Sequence, residues 1–252
     1  MDLRARLHDG KPFCFSWMGI PGAQLAGQLA RTNLDGVALD MQHGLIGMDQ
    51  ANPMVSAIVA AAKPCIIRVL WNDPGLIGQA LDMGASAVIA PMINSRAQAE
   101  ALVKSAKYPP MGQRSWGGYA MVQASGLSAA DYLKKANHNT LVFAMIETQE
   151  ALDLVEEIAS VPGLDGLFVG PSDLSIALSK GAELNRTSAA NIVAMKTIHA
   201  AAQKHKLVSG AFAGTPEIAN DYVKLGYTFL AAVTDNDVLR LGVSAWQNGF
   251  QK

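Results

Sequence analysis

Apolar and polar positions along the chain alternate between two rhythms. Short β-branched or aromatic runs recur at Phe13 to Trp17, Gly36 to Leu39, Cys65 to Val69, Ala87 to Ala90, Leu141 to Ile146, Gly166 to Val169, Val208 to Phe212 and Phe229 to Val233. Their length and bounding turn residues predict eight strands. Between them lie longer segments with helical spacing and recognisable starts. Asp73-Pro74 precedes Gly75 to Met83, Asn94-Ser95 precedes Arg96 to Lys107, Thr148 precedes Gln149 to Ser160, and Thr215-Pro216 precedes Glu217 to Leu225. A short polar side chain before a helix accepts the first free N–H groups, and proline is pre-set for the first helical position. Gly84 and Gly226 supply the matching stops. Eight strand–helix units in 252 residues predict an α/β chain folded as a (β/α)8 TIM barrel. No linker or compositional break divides it, so residues 1–252 are expected to form a single domain.

The spacing departs from this rhythm once. Tyr108 to Asn139 interposes Pro-Pro-Met-Gly-Gln-Arg-Ser-Trp-Gly-Gly-Tyr and a short helical piece, Ser128 to Ala136, before the fifth strand. An insertion of this kind either covers a site or a neighbouring subunit, or is a plain surface excursion.

Composition narrows the functional classes. Apolar residues make up 50% of the chain, charged residues 16%, and the formal net charge is −1. A sizeable core is affordable, while nothing in the charge balance favours nucleic acid or an anionic membrane. No run approaches the roughly 18 apolar residues of a membrane span. The opening Met1-Asp-Leu-Arg-Ala-Arg-Leu-His lacks an apolar leader, which makes the cytoplasm the expected compartment. Cys14 and Cys65 sit apart in apolar runs and read as packed thiols.

Candidate chemistry gathers at the carboxyl ends of the strands. Asp40 and His43 follow strand two, Arg68 lies in strand three, Glu147 ends strand five, and Asp173 follows strand six. In a barrel these positions converge around one mouth, where βα loops build active sites. A carboxylate ending an apolar strand is costly to bury unless a cation neutralises it, so Glu147 and Asp173 together suggest a metal site. Either alone could simply cap a helix. Arg68 is the one Arg or Lys inside a predicted strand and reads as a functional cation, with an internal salt bridge as the plainer account. His43 has Asp40 nearby to orient it, whereas His8, His138, His199 and His205 fall in terminal, loop or helical contexts and read as solvated. The backbone amides of Ser172 and Asp173 would open a helical turn able to hold a carboxylate. Trp17, Trp71 and Phe212 fall near the same rim, where they either shape a pocket or pack.

Other chemistries lose support. All twelve lysines fall in helices, loops or the amino ends of strands, which disfavours a Schiff base. There is no GxGxxG after a strand, no GxxxxGK[ST] and no HExxH.

At these residues the chain resembles the class II, metal-dependent pyruvate aldolases of the 4-hydroxy-2-oxoheptane-1,7-dioate aldolase and 2-keto-3-deoxy-rhamnonate aldolase family. The likeness runs through Phe15 to Gly22, Leu39-Asp-Met-Gln-His-Gly44, Arg68-Val-Leu-Trp-Asn-Asp-Pro74, Ala90-Pro-Met92, Tyr108-Pro-Pro-Met-Gly-Gln-Arg114, Met145-Ile-Glu-Thr148 and Phe168-Val-Gly-Pro-Ser-Asp-Leu-Ser175. The resemblance implies a trimer or a hexamer built as a dimer of trimers, with the last helix exchanged between subunits. It implies a divalent ion, Mg, Mn or Co, on Glu147 and Asp173. Pyruvate would chelate the ion, with its carboxylate on the Ser172 and Asp173 amides and its keto oxygen beside Arg68. Asp40 and His43 would move the proton together with a metal-bound water, and 4-hydroxy-2-oxoacids would be made from, or cleaved to, pyruvate and an aldehyde. Gln42 stands where an acidic residue is common in relatives and Gln149 where Arg is frequent, differences that bear on the aldehyde accepted.

Two alternatives stand beside this expectation. An acyl-CoA carbon–carbon lyase uses a similar metal barrel but needs a basic groove for the CoA phosphates. A non-catalytic oligomeric barrel would hold the ion structurally, and metal removal would then melt it.

Overall fold

The computed structural model describes Asp2–Phe250. In chain order the elements are α1 (Leu3–Leu7), β1 (Phe13–Met18), α2 (Ala23–Ala30), β2 (Gly36–Asp40), α3 (Met48–Ala60), β3 (Cys65–Arg68), α4 (Pro74–Met83), β4 (Ala87–Ala90), α5 (Arg96–Ala106), α6 (Tyr119–Ser125), α7 (Ala129–Asn139), β5 (Leu141–Ile146), α8 (Gln149–Asp153), α9 (Val155–Ala159), β6 (Gly166–Val169), α10 (Pro171–Leu178), α11 (Ala189–Lys204), β7 (Val208–Phe212), α12 (Pro216–Lys224), β8 (Phe229–Thr234) and α13 (Asp235–Gly249). The eight strands pair in parallel and in sequence order, and β8 returns to β1 to close the barrel. The expected (β/α)8 architecture is therefore present.

Two apolar layers hold it together. Val37, Leu39, Ile67, Val88, Val142, Ile146, Leu167 and Val169 face outward under the helices, against residues such as Met54, Ile58, Leu102, Ile158 and Ile198. The alternate positions point to the axis, where Phe13, Phe15, Trp17, Ile66, Ile89, Phe143, Met145, Phe168 and Phe229 pack together. Phe143 stacks on Phe229 with ring centroids 4.6 Å apart. So many rings fit because glycine stands opposite them. A Cβ on Gly166 would fall 2.3 Å from the Phe143 ring. Leu3 and Leu7 of α1 join this inner cluster and stopper the amino end of the barrel. There Arg4 and Lys107 both pair with Asp165, at 2.6 and 2.9 Å.

Local signals set most boundaries. Asp73, Ser95, Ser128, Thr148 and Thr215 each cap the helix that follows through a side-chain oxygen. Two expectations need correction, and one open alternative is decided. The helix expected over Gln149 to Ser160 divides into α8 and α9 at Leu154. Helix α6 is an additional helix of the Tyr108–Asn139 insertion, ahead of the one expected at Ser128 to Ala136, which forms as α7. The insertion does not cover the mouth: α6 packs on α4 and α7 on α1, and Met121 and Tyr132 line a hollow with Ser86 and Thr140, at the amino ends of β4 and β5. Its anchors are the Arg114–Asp82 ion pair at 2.6 Å and the Arg114 guanidinium over the Tyr108 ring.

Among the described residues no helix is long and apolar enough to cross a membrane. Helix α13 leaves the barrel after its first residue. Asp235 is buried, whereas Leu239, Leu241, Val243 and Trp246 are exposed.

Candidate active site

Period-two alternation carries the inner face of each strand upward to the carboxyl end. The inward row Phe13, Phe15 and Trp17 ends at an indole, Ala38 is followed two residues later by Asp40, Ile66 by Arg68, and Met145 by Glu147. The polar residues thus form the last layer of the barrel interior. Above them opens a cavity of about 370 Å³ lined by Trp17, Asp40, His43, Arg68, Ser172, Asp173 and Phe212, together with Gly19, Met145, Gly170, Thr234, Asp235 and Asn236. That volume suits a small ligand.

Asp40 and Arg68 are partners across the β2–β3 ladder. Arg68 Nε donates to Asp40 Oδ1 at 2.8 Å and Nη2 to Oδ2 at 2.7 Å. Both side chains are buried, and the guanidinium lies 4.9 Å from the Trp17 ring centre. Trp17 Nε1 and the backbone N–H groups of Gln42 and His43 complete the donors around the carboxylate. Burial pushes the Asp40 carboxyl up, but the Arg68 hydrogen bonds and charge more than offset it, leaving its pKa below the ordinary value. The carboxylate–imidazole contact expected of Asp40 and His43 is not formed. The Asp40 carboxylate aims Arg68, and its link to His43 runs through the main-chain N–H, leaving the exposed imidazole to face the cavity.

Glu147 occupies the opposite condition. It is 3% exposed and lies just behind the cavity lining. Burial, with a contribution from the Asp173 charge, pushes its carboxyl up to about 7 against the pull of the Met92 N–H and Arg68. Met92 N–H donates to Oε1 at 2.8 Å from a backbone with φ of 56°, the left-handed region that costs a non-glycine residue roughly 1–2 kcal/mol. On the other side Gly170 leaves room for Oε2: a Cβ there would stand 2.6 Å from it. Neither acid caps a helix with its side chain. Thr148 caps α8, and Gly170 occupies the cap position of α10, with Asp173 exposed in its first turn. Among the described residues no group of three or more His, Cys, Asp or Glu side chains is placed to hold a metal ion.

The remaining expectations divide. Phe212 lines the cavity and meets Trp17 edge to face at 5.6 Å. Trp71 does not line it and is 54% exposed. Gln149 lies on α8, bonded to Asp153. His199 is only partly exposed; its Nδ1 is 2.9 Å from Ser209 Oγ, and burial lowers its pKa. Cys65 is buried and Cys14 partly so, both free. Sequence reasoning missed Asp235. Its Oδ2 accepts from the N–H groups of Gly19 and Ile20 at 2.9 and 2.7 Å, pinning the loop after β1 over the cavity. The signal was the one used for Glu147, an acid just past an apolar strand.

Residues 15–240 match the family model described as HpcH/HpaI aldolase/citrate lyase. The chain belongs to that family. Among relatives, a hydroxypyruvate/pyruvate aldolase of Rhizorhabdus wittichii is 35% identical over 92% of this chain and 92% of its own length. A 4-hydroxy-2-oxo-heptane-1,7-dioate aldolase of Klebsiella pneumoniae is 31% identical over 95% and 89%. The HpcH/HpaI fold is equally clear in three dimensions. A crystal structure of a family protein from Burkholderia cenocepacia superposes with a TM-score of 0.87 over 98% of each chain, at 31% identity.

Proposed function

We propose that this HpcH/HpaI chain is a divalent-metal-dependent aldolase that uses pyruvate as its nucleophilic donor, cleaving or forming 4-hydroxy-2-oxoacids with an aldehyde as partner. One observation carries the metal: buried Glu147 feels the charge of exposed Asp173 at the cavity lining, and no side-chain cation forms an ion pair with either, among the described residues. Carboxylate oxygens are the donor type that Mg, Mn or Co accepts, and burial of Glu147 is then offset by the ion. Bound there, a divalent cation supplies Lewis acidity to the 2-oxoacid.

The chain's own groups account for the rest. Arg68, aimed by Asp40, presents its charge where negative charge grows on the C2 oxygen when pyruvate becomes an enolate. A preorganised charge of that kind stabilises the enolate more than the ketone. Ser172 and Asp173, in the first turn of α10, line the cavity, and helix-start amides there would suit the substrate carboxylate. His43 stands at the open side and serves as the base that takes the 4-hydroxyl proton. As that proton leaves, the C3–C4 bond breaks, its electron pair passes toward the C2 oxygen, and an aldehyde departs. Return of that proton to C3 then gives pyruvate and restores His43. Trp17 and Phe212 wall the aldehyde side.

Apolar side chains left exposed along α13, above a cavity of about 990 Å³ lined by Leu34, Pro216, Val233 and Leu241, support a homo-oligomer, a trimer or hexamer, in which this helix exchanges between subunits. The reading takes the enzyme as cytoplasmic, with small-molecule substrates and no nucleic-acid or membrane partner.

The test is proton exchange. In heavy water the protein should exchange the methyl protons of pyruvate only with Mg, Mn or Co present. Exchange that persists unchanged in excess chelator would remove the proposal.

A further inference from the structure

Asp235 begins α13 and is 1% exposed, and the one basic residue of that helix, Arg240, pairs with Asp237 instead. The buried carboxylate is held by N–H groups. Its Oδ2 accepts from Gly19 and Ile20 at 2.9 and 2.7 Å, and its Oδ1 from the Asn236 N–H at 2.8 Å. Such charge-assisted bonds offset the cost of taking a carboxylate out of water. Helix α13 does not need Asp235 to begin, because the Thr234 side chain already caps it. The carboxylate instead ties the end of β8 to the loop after β1, whose donors lie 216 and 215 residues earlier in the chain.

That loop passes the constraint on to a third. The Gly19 carbonyl accepts from the Leu45 N–H at 2.9 Å, and a Cβ on Gly44 would stand 2.9 Å from Gly19 Cα and 2.2 Å from the Asp40 carbonyl oxygen. The two backbones therefore lie directly against each other, with no room for a side chain between them. Gly44 and Leu45 follow His43, whose own N–H donates to Asp40 Oδ1 at 3.2 Å. His43 is thus clamped on both sides: Asp40 fixes its amide and Gly19 fixes the segment that comes next. Its imidazole is exposed, so the main chain sets where it stands. We infer that Asp235 is a positioning residue for His43, acting through Gly19 and the Gly44–Leu45 segment, a role that rests on the base assignment made for the aldolase above.

The experiment measures metal-dependent exchange of pyruvate methyl protons in heavy water for the wild type, Asp235→Ala and Asp235→Asn, each with His43 and with His43→Ala. Asp235→Ala should lower kcat about 10-fold to 100-fold, the loss that follows when a reacting group is misplaced, with the KM of pyruvate and the affinity for Mn as in the wild type. Asp235→Asn keeps one oxygen for the Gly19 and Ile20 N–H groups and should lose about 3-fold to 10-fold, the equivalent of one hydrogen bond. In the His43→Ala background both losses should vanish, because nothing is left to position. In the metal-free protein, amide hydrogen exchange of the peptide spanning Met41 to Gly47 should quicken in Asp235→Ala, although Asp235 bonds to none of its amides. The asparagine variant carries the test where the alanine variant does not fold. Wild-type kcat in either variant, an equal loss with and without His43, or unaltered protection of that peptide would overturn the inference. Full exchange in His43→Ala would remove the base assignment and this role with it, whereas absence of metal-dependent exchange in the wild type would remove the aldolase reading itself.

Discussion

Arg68 and Asp40 meet in a two-point ion pair, Nε to Oδ1 at 2.8 Å and Nη2 to Oδ2 at 2.7 Å, across adjacent strands of the barrel. The pairing fixes the plane of the guanidinium and leaves Nη1 outside the carboxylate fork. Replacing Arg68 by Ala should lower kcat for pyruvate exchange roughly 10²-fold to 10³-fold, the usual cost of one positioned donor at a developing oxyanion. Arg68→Lys should recover little, because an ammonium cannot reproduce the fork. Steady-state rates measured at saturating pyruvate check this, and an unchanged kcat removes Arg68 from the chemistry.

Glu147 makes the metal-free protein sensitive to pH. Its carboxyl is pushed up to about 7 in the fold from an ordinary 4.5, so the folded chain binds more protons than the unfolded one between those values. Stability of the metal-free protein should therefore fall as pH rises from about 4.5 through 7. Glu147→Gln should flatten that dependence and raise Tm at pH 8 in the absence of metal. Thermal unfolding from pH 5 to 8 in chelator, wild type against variant, reads the difference. A parallel decline in both proteins would contradict it.

A divalent cation should reverse the penalty. Mg or Mn added at pH 8 should raise Tm, and the rise should shrink near pH 5, where protons compete for Glu147. Asp173→Ala should abolish the rise. Chelator should abolish catalysis while leaving the far-ultraviolet dichroism of the barrel in place, which separates a catalytic ion from a structural one.

Gly170 is required by space rather than by its backbone angles. A Cβ there would meet Glu147 Oε2 and Met145 Cε, each at 2.6 Å. Gly170→Ala should displace the acid, cost roughly 1–3 kcal/mol of stability as overpacking does, and weaken metal binding more than tenfold. Isothermal titration with Mn and a denaturation curve measure both. Wild-type affinity in this variant would show that Glu147 does not hold the ion.

Helix α13 should be an assembly element. Leu241→Asp with Trp246→Asp places charge on its exposed apolar side and should lower the oligomeric mass seen by light scattering, with the barrel still folded by circular dichroism. An unchanged mass would place the interface elsewhere.

Much of this was written along the chain. Eight strand cores emerged from apolar runs because a parallel strand buried on both faces has no other composition available to it. Helix starts followed from single capping residues such as Asp73 and Ser95, whose effect is local. The rim positions of Asp40, Arg68, Glu147 and Asp173 followed from strand ends alone. What failed was reasoning that joined neighbours in sequence. Asp40 stands three residues from His43, which suggested a carboxylate–imidazole pair, and Gln149 to Ser160 read as one helix despite the break at Leu154.

The sequence by itself determined the barrel, its direction and the end at which its polar residues gather, since these depend on periodicity and on residues a few places apart. Only the tertiary structure decided the partners. Strand register set Asp40 against Arg68, the approach of Gly170 made space for Glu147, and Asp235 closed the loop at Gly19 from the far end of the chain. Such pairings form between residues distant along the chain, and their geometry exists only once the barrel has closed.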